Sequence, residues 1–227
     1  MLALVLAGAV TVGLMAAAVP ANASNFDAYA RTHLLQNADV PSTGLGDLGS
    51  RRVFISPPEN SNSFKLCFVN NRGITIPGIR EATASFALHD VGVPQLREDV
   101  LTFQSPAAAR RAFARGALQS RQCRGSRTGG EGSLKSKITM SWGAVPGVTV
   151  VGVPSFSLRY TTSSPDSSAQ GGWVVSQDGY SVFTLVNDVI INTTYTRPQG
   201  PDGPPITAAQ RQLVNQTAAT AASRWIG

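Results

Sequence analysis

Two cysteines, two histidines and a run of arginines are the residues through which this chain would have to do chemistry. An active site needs at least a nucleophile, a base or a metal cluster. Neither a G-x-S-x-G elbow nor an H-E-x-x-H pair occurs in the sequence. His89 and Asp90 are adjacent. Neighbours on a strand point to opposite faces, so Asp90 is badly placed to orient His89, and an ordinary strand end is expected. Glu98 and Asp99 fail as a carboxylate pair for the same reason. His33 has polar neighbours and is expected to face solvent. Cys67 and Cys123 have no histidine nearby to complete a metal site. An isolated pair in an exported chain is most simply one disulfide. Closing that loop stabilises a fold by roughly 4 kcal/mol on the chain-entropy model. With both thiols bonded there is no cysteine nucleophile. The expectations are no catalytic residue, no metal ligand and no cofactor.

The arginines admit two readings. Arg110, Arg111, Arg115, Arg121, Arg124 and Arg127 fall in one span, with no acidic residue until Glu131. They form either a patch for phosphate-bearing lipids or wall polymers, or a solvated helix face and loop. Arg110, Arg111, Arg115, Arg121 and Arg124 are the candidate anion-binding residues. Trp142, Phe156, Tyr160, Trp173, Phe183 and Tyr195 all fall on expected strands. They either line a pocket for an apolar ligand or fill a sheet core, and a core is the expectation.

Export follows from the N-terminus. Residues 2–19 carry no charge, and Ala21-Asn22-Ala23 is an A-x-A site. Residues 1–23 therefore read as a signal peptide cut after Ala23, and 24–227 as a single domain. About 20 apolar residues can also span a bilayer, but this run is mostly small and ends in a cleavage site. No Lys or Arg precedes it, which points to a misassigned start or a trimmed chain, and no cysteine follows for lipid attachment. Membrane contact is expected to be peripheral at most after cleavage. The mature chain keeps the net charge of +6, which suits anionic surfaces. Nucleic acid is not an expected partner, because no nucleic-acid motif accompanies the charge and the protein works outside the cell.

The elements that must position these residues read as α+β. A helix is expected over 25–36, ended by Asp39-Val40-Pro41. Residues 42–63 are rich in Gly, Pro, Ser and Asn and read as loop. Strands are expected over 64–69, 82–88 and 96–103, the last half-buried at best. Ser105-Pro106 opens a helix that runs to about Gln119, with Ala109, Phe113 and Ala117 on one face. Residues 124–136 read as an exposed loop. Strands resume over 138–142 and 155–162, and 163–170 is a polar loop. A three-stranded antiparallel meander follows over 172–176, 180–186 and 189–196, broken at Gln177-Asp178-Gly179 and Asn187-Asp188. Thr207 and Gln210 form a capping box for a last helix, with Val214, Ala218, Ala221 and Trp225 as its apolar stripe.

Four segments in this order resemble the exported sensor-type domains of actinobacteria, typified by the extracellular domain of PknH-like receptor Ser/Thr kinases. They are Leu34-Leu35 with Ala38-Asp39-Val40-Pro41; the run from Phe103 through Ser105-Pro106 and Phe113 to Cys123; the Ser155–Tyr160 strand; and the meander with the last helix. The resemblance implies an antiparallel β-sheet with helices packed on one face and a cleft thought to bind a ligand. Family members commonly carry a second cysteine pair, so only Cys67 and Cys123 carry over as a disulfide. The chain has no kinase elements, so any signalling would depend on a partner.

The reading that follows is a secreted, non-catalytic sensor-like or ligand-binding domain of the cell envelope. Its ligand is an unidentified small molecule or lipid held between sheet and helix, with an envelope protein as a further partner. Two alternatives stand beside it: a hydrolase with an unrecognised site around His89, and an adhesive protein acting through the arginine-rich face.

Overall fold

The computed structural model describes residues 23–226 except 57–62, 70–71, 88–93, 124, 130–137, 146–149, 151, 166–173 and 200–204. Among them the chain forms three helices, α1 (Ala23–His33), α2 (Pro106–Ser120) and α3 (Ala208–Trp225). Ten strands accompany them. They are β1 (Arg51–Ile55), β2 (Ser63–Val69), β3 (Arg72–Pro77), β4 (Arg80–Ala87), β5 (Gln95–Thr102), β6 (Gly125–Gly129), β7 (Ile138–Val145), β8 (Ser155–Pro165), β9 (Val174–Val186) and β10 (Val189–Gln199). Eight strands make one sheet in the order β1-β4-β5-β10-β9-β8-β7-β6, every neighbouring pair antiparallel. β2 and β3 form a separate antiparallel hairpin. The α+β class with a large antiparallel sheet and one disulfide is as expected.

Side-chain alternation divides the core in two. Val100, Ile191 and Val182 point to one face, where they meet Leu34, Leu35, Val214, Ala218 and Trp225 from α1, the turn after it, and α3. Their strand neighbours Leu101, Ile190 and Phe183 point the other way, to Phe64, Ile76, Ala109 and Phe113 of the hairpin and α2. Helices therefore cover both faces rather than one: α1 and α3 take the first, α2 the second. This also corrects the view of β5 as half-buried. It lies inside the sheet between β4 and β10, with residues 98–102 all buried.

The helix ends follow from local chemistry. Ser105 caps α2, its side chain accepting from the Ala108 amide at 3.2 Å, with Pro106 in the first turn. Thr207 and Gln210 close a capping box on α3, whose stripe of Val214, Ala218, Ala221 and Trp225 is buried. α1 ends earlier than expected, at His33, because the next amides are taken by carboxylates: Leu35 donates to Glu98 and Gln36 to Asp39.

Several boundaries move for nonlocal reasons. β1 lies within the stretch read as loop, and β6 within the stretch read as an exposed loop, each fixed by pairing to one neighbour. β8 continues to Pro165, into the expected polar loop. Gln177-Asp178-Gly179 is not a turn: β9 runs straight through it, and the meander is β8-β9-β10. Two tertiary demands hold those residues in the strand. Asp178 is fully buried and accepts from Arg159 Nε at 3.0 Å, Arg159 Nη2 at 2.9 Å and the Ile206 amide at 2.6 Å. A Cβ on Gly179 would lie 2.1 Å from the Tyr160 ring, so only glycine lets that ring cross the strand. The Asn187-Asp188 turn is present, with Asn187 at φ 49°.

Candidate functional site: a groove between helix α2 and the hairpin

α2 places three rows of side chains. Ala109, Phe113, Gly116 and Ser120 are buried against the sheet and hairpin. Ala108 and Ala112 are partly buried beside them, and Arg111 and Arg115 flank the helix at i, i+4 spacing, both exposed. The hairpin approaches closely because position 116 has no side chain. A Cβ there would sit 2.5 Å from Ile76 Cδ1 and 3.5 Å from Leu66 Cδ1. The Cys67–Cys123 disulfide pins the arrangement, joining β2 to the residue three past the end of α2 with Cα atoms 5.9 Å apart.

Between α2 and β3 this leaves an open groove of about 250 Å³. Its floor and walls are Ile76, Pro77, Phe103, Ala108, Ala112 and Gly116. Thr75, Arg111, Arg115 and Gln119 supply its polar groups. Among the described residues no carboxylate lies within ion-pair distance of either arginine. Two like charges one helical turn apart repel by a few tenths of a kcal/mol. The geometry thus joins two features that were separate in the sequence, the basic run and an apolar cleft. A second hollow of about 300 Å³, between the 41–50 loop and Phe86, offers Asp47 as its charged side chain.

The other candidate residues disperse. Arg110 and Arg121 are exposed but lie off the groove. Arg124 lies outside the described residues, as do His89, Asp90 and Trp173. His33 does not simply face solvent. It is partly buried and stacks on Tyr29 at 3.7 Å between ring centroids, with its Nδ1 2.7 Å from the Tyr29 carbonyl oxygen. Phe156 and Phe183 stack at 4.7 Å in the core beneath α2, and Tyr195 is buried with its hydroxyl donating to the Leu45 carbonyl at 2.7 Å.

Glu98 and Asp99 point to opposite faces, as strand geometry requires. Glu98 is fully buried under α1 and α3, and burial pushes its carboxyl up to about 8. The Leu35 amide at 2.6 Å opposes that rise by donating to Oε2. The Trp225 indole N–H also favours the ionised form, although it does not complete a hydrogen bond of normal geometry. Asp99 accepts from Thr83 Oγ1 at 2.7 Å and Arg97 Nε at 2.6 Å, and burial raises it too. Asp99 is held by these two donors, whereas Glu98 Oε1 is buried without a hydrogen-bond partner among the described residues. Among the described residues no three of His, Cys, Asp and Glu gather where they could hold a metal ion. No helix among them is long and apolar enough to cross a membrane.

No protein-family model matches the chain, and no curated protein matches it. Among solved structures the chain is similar to the extracellular domain of PknH from Mycobacterium tuberculosis, at 13% identity and a TM-score of 0.47. That match covers 85% of this chain and 94% of the other. A likeness so distant carries no functional residue across. The disulfide independently fits an extracytoplasmic location.

Proposed function

We propose that this protein is a secreted, non-catalytic, sensor-like domain that holds a small envelope molecule in the groove between α2 and the hairpin. The observation that supports this reading is the groove itself. A helix and a hairpin tied together by a disulfide leave a hollow between them, bordered by Ile76, Phe103 and Ala112. Ligand sites are concave and mostly apolar, with a few polar groups that orient the bound molecule. Any signal from binding would pass through a partner protein, because the sequence carries no kinase elements of its own.

The mature protein, purified from its own host and sprayed under native conditions, tests the reading. A discrete added mass, released on denaturation and lost in Ala112→Phe, is the expected result. A bare protein that also fails to bind an apolar fluorescent dye in its folded state would sink it.

A further inference from the structure

The shape and charge of the groove narrow its ligand to one chemical class. Resting on the reading of the groove as a ligand site, we infer that its occupant is a single-chain amphiphile with a phosphate monoester head. The chain would lie along Pro77, Ala108 and Ala112, above the buried Ile76 and Phe103, and the head would be held by Arg111 and Arg115.

Three observations carry the inference. The first is size. A hollow of about 250 Å³ falls just under the roughly 300–1,000 Å³ of drug-sized pockets. It has room for one short or medium alkyl chain. The second is charge. Arg111 and Arg115 stand one turn apart on the same rim, and neither has a carboxylate partner among the described residues. A phosphate monoester carries about −1.5 to −2 charge near neutral pH and three acceptor oxygens, so it can engage both guanidiniums at once. A carboxylate carries a single charge and leaves one arginine unmatched. The third is polarity along the groove. The charged side chains belong to the outer flank of α2, whereas Ile76 is buried against Gly116, so head and chain are ordered from rim to floor. Thr75 and Gln119 add a hydroxyl and an amide that can donate to remaining phosphate oxygens.

Calorimetric titration of the mature protein with decyl phosphate, decanol and inorganic phosphate, each below any micelle concentration, tests this. Decyl phosphate should bind one to one, about tenfold or more tighter than decanol, as a charge-assisted contact predicts. Inorganic phosphate should bind more weakly than decyl phosphate, because it leaves the floor empty. Arg111→Ala with Arg115→Ala should bring decyl phosphate to the decanol level without changing decanol binding. Both side chains are exposed, so the double variant should keep its thermal midpoint, and the Lys pair should restore part of the preference. Equal binding of decyl phosphate and decanol, or indifference to the double variant, overturns the phosphate head while leaving the groove intact. Failure of both to bind, with Ala112→Phe also changing nothing, overturns the groove as well. Arginine-dependent binding to anionic phospholipid vesicles with no response to decyl phosphate overturns the inference in favour of adhesion to a membrane surface.

Discussion

The carboxylate of Glu98 accepts a hydrogen bond from the Leu35 amide at 2.6 Å, across 63 residues of sequence, inside the larger core. That contact stops α1 and fastens the turn after it to the middle of the sheet. Burial of the same carboxyl makes the fold sensitive to pH. Burial holds the Glu98 carboxyl at about 8, well above the ordinary value of 4.5. Below about pH 4.5 both folded and unfolded chains are protonated there. As pH rises, the unfolded chain releases its proton first, so this group's contribution erodes up to about pH 8.

Thermal unfolding should therefore shift downward between pH 5 and pH 8, by on the order of 5–10 °C for a chain of this size. Glu98→Gln keeps an acceptor for Leu35 and should flatten most of that slope. Asp99 and Glu81, both raised first by burial, should leave a residual slope of the same sign. An unchanged slope in the variant would show that Glu98 is not the group that titrates.

Asp178 is the anchor for the approach to α3. Its carboxylate takes two donors from Arg159 and the amide of Ile206, one residue before the Thr207 cap. Asp178→Ala should cost about 1–3 kcal/mol, because it orphans the buried Ile206 amide while the partly exposed Arg159 guanidinium can turn to water. Arg159→Ala should cost more, about 3–5 kcal/mol, because it leaves the fully buried Asp178 carboxylate with the Ile206 amide as its remaining donor. Urea midpoints of the two variants give the comparison, and equal losses would contradict this division of roles.

Gly179 and Tyr160 form a steric pair. Gly179→Ala should destabilise by about 1–3 kcal/mol through overpacking against the ring. The double variant with Tyr160→Ala should recover part of that loss beyond additivity. A double-mutant cycle with no coupling would place the strain elsewhere.

Reduction of Cys67–Cys123 should lower the unfolding free energy by about 4 kcal/mol on the chain-entropy model, given the 56-residue separation. It should weaken groove binding by more than it changes far-ultraviolet circular dichroism, because the bridge joins the two walls of the groove. Intact ligand binding after reduction would show that packing of Phe64, Ile76 and Phe113 suffices.

Much of this protein was decided locally. The Ser105-Pro106 start of α2, the Thr207–Gln210 box, the Asn187-Asp188 turn and the stripe of α3 are short-range chemistry, readable wherever they occur. The cysteine pair was legible from its isolation, and opposite faces for Glu98 and Asp99 from the strand period. Tertiary structure decided the rest. β1 and β6 exist as strands because a neighbour offers hydrogen bonds, and β9 passes straight through Asp178-Gly179 because Arg159, Ile206 and Tyr160 hold it there. The groove was illegible for the same reason. Its basic rim lies on α2 and much of its apolar floor on a hairpin some 35 residues earlier, and only packing brings the two together. Caps and turns are fixed by neighbours in sequence. Burial and strand pairing depend on what the folded chain sets alongside each residue, which no local pattern records.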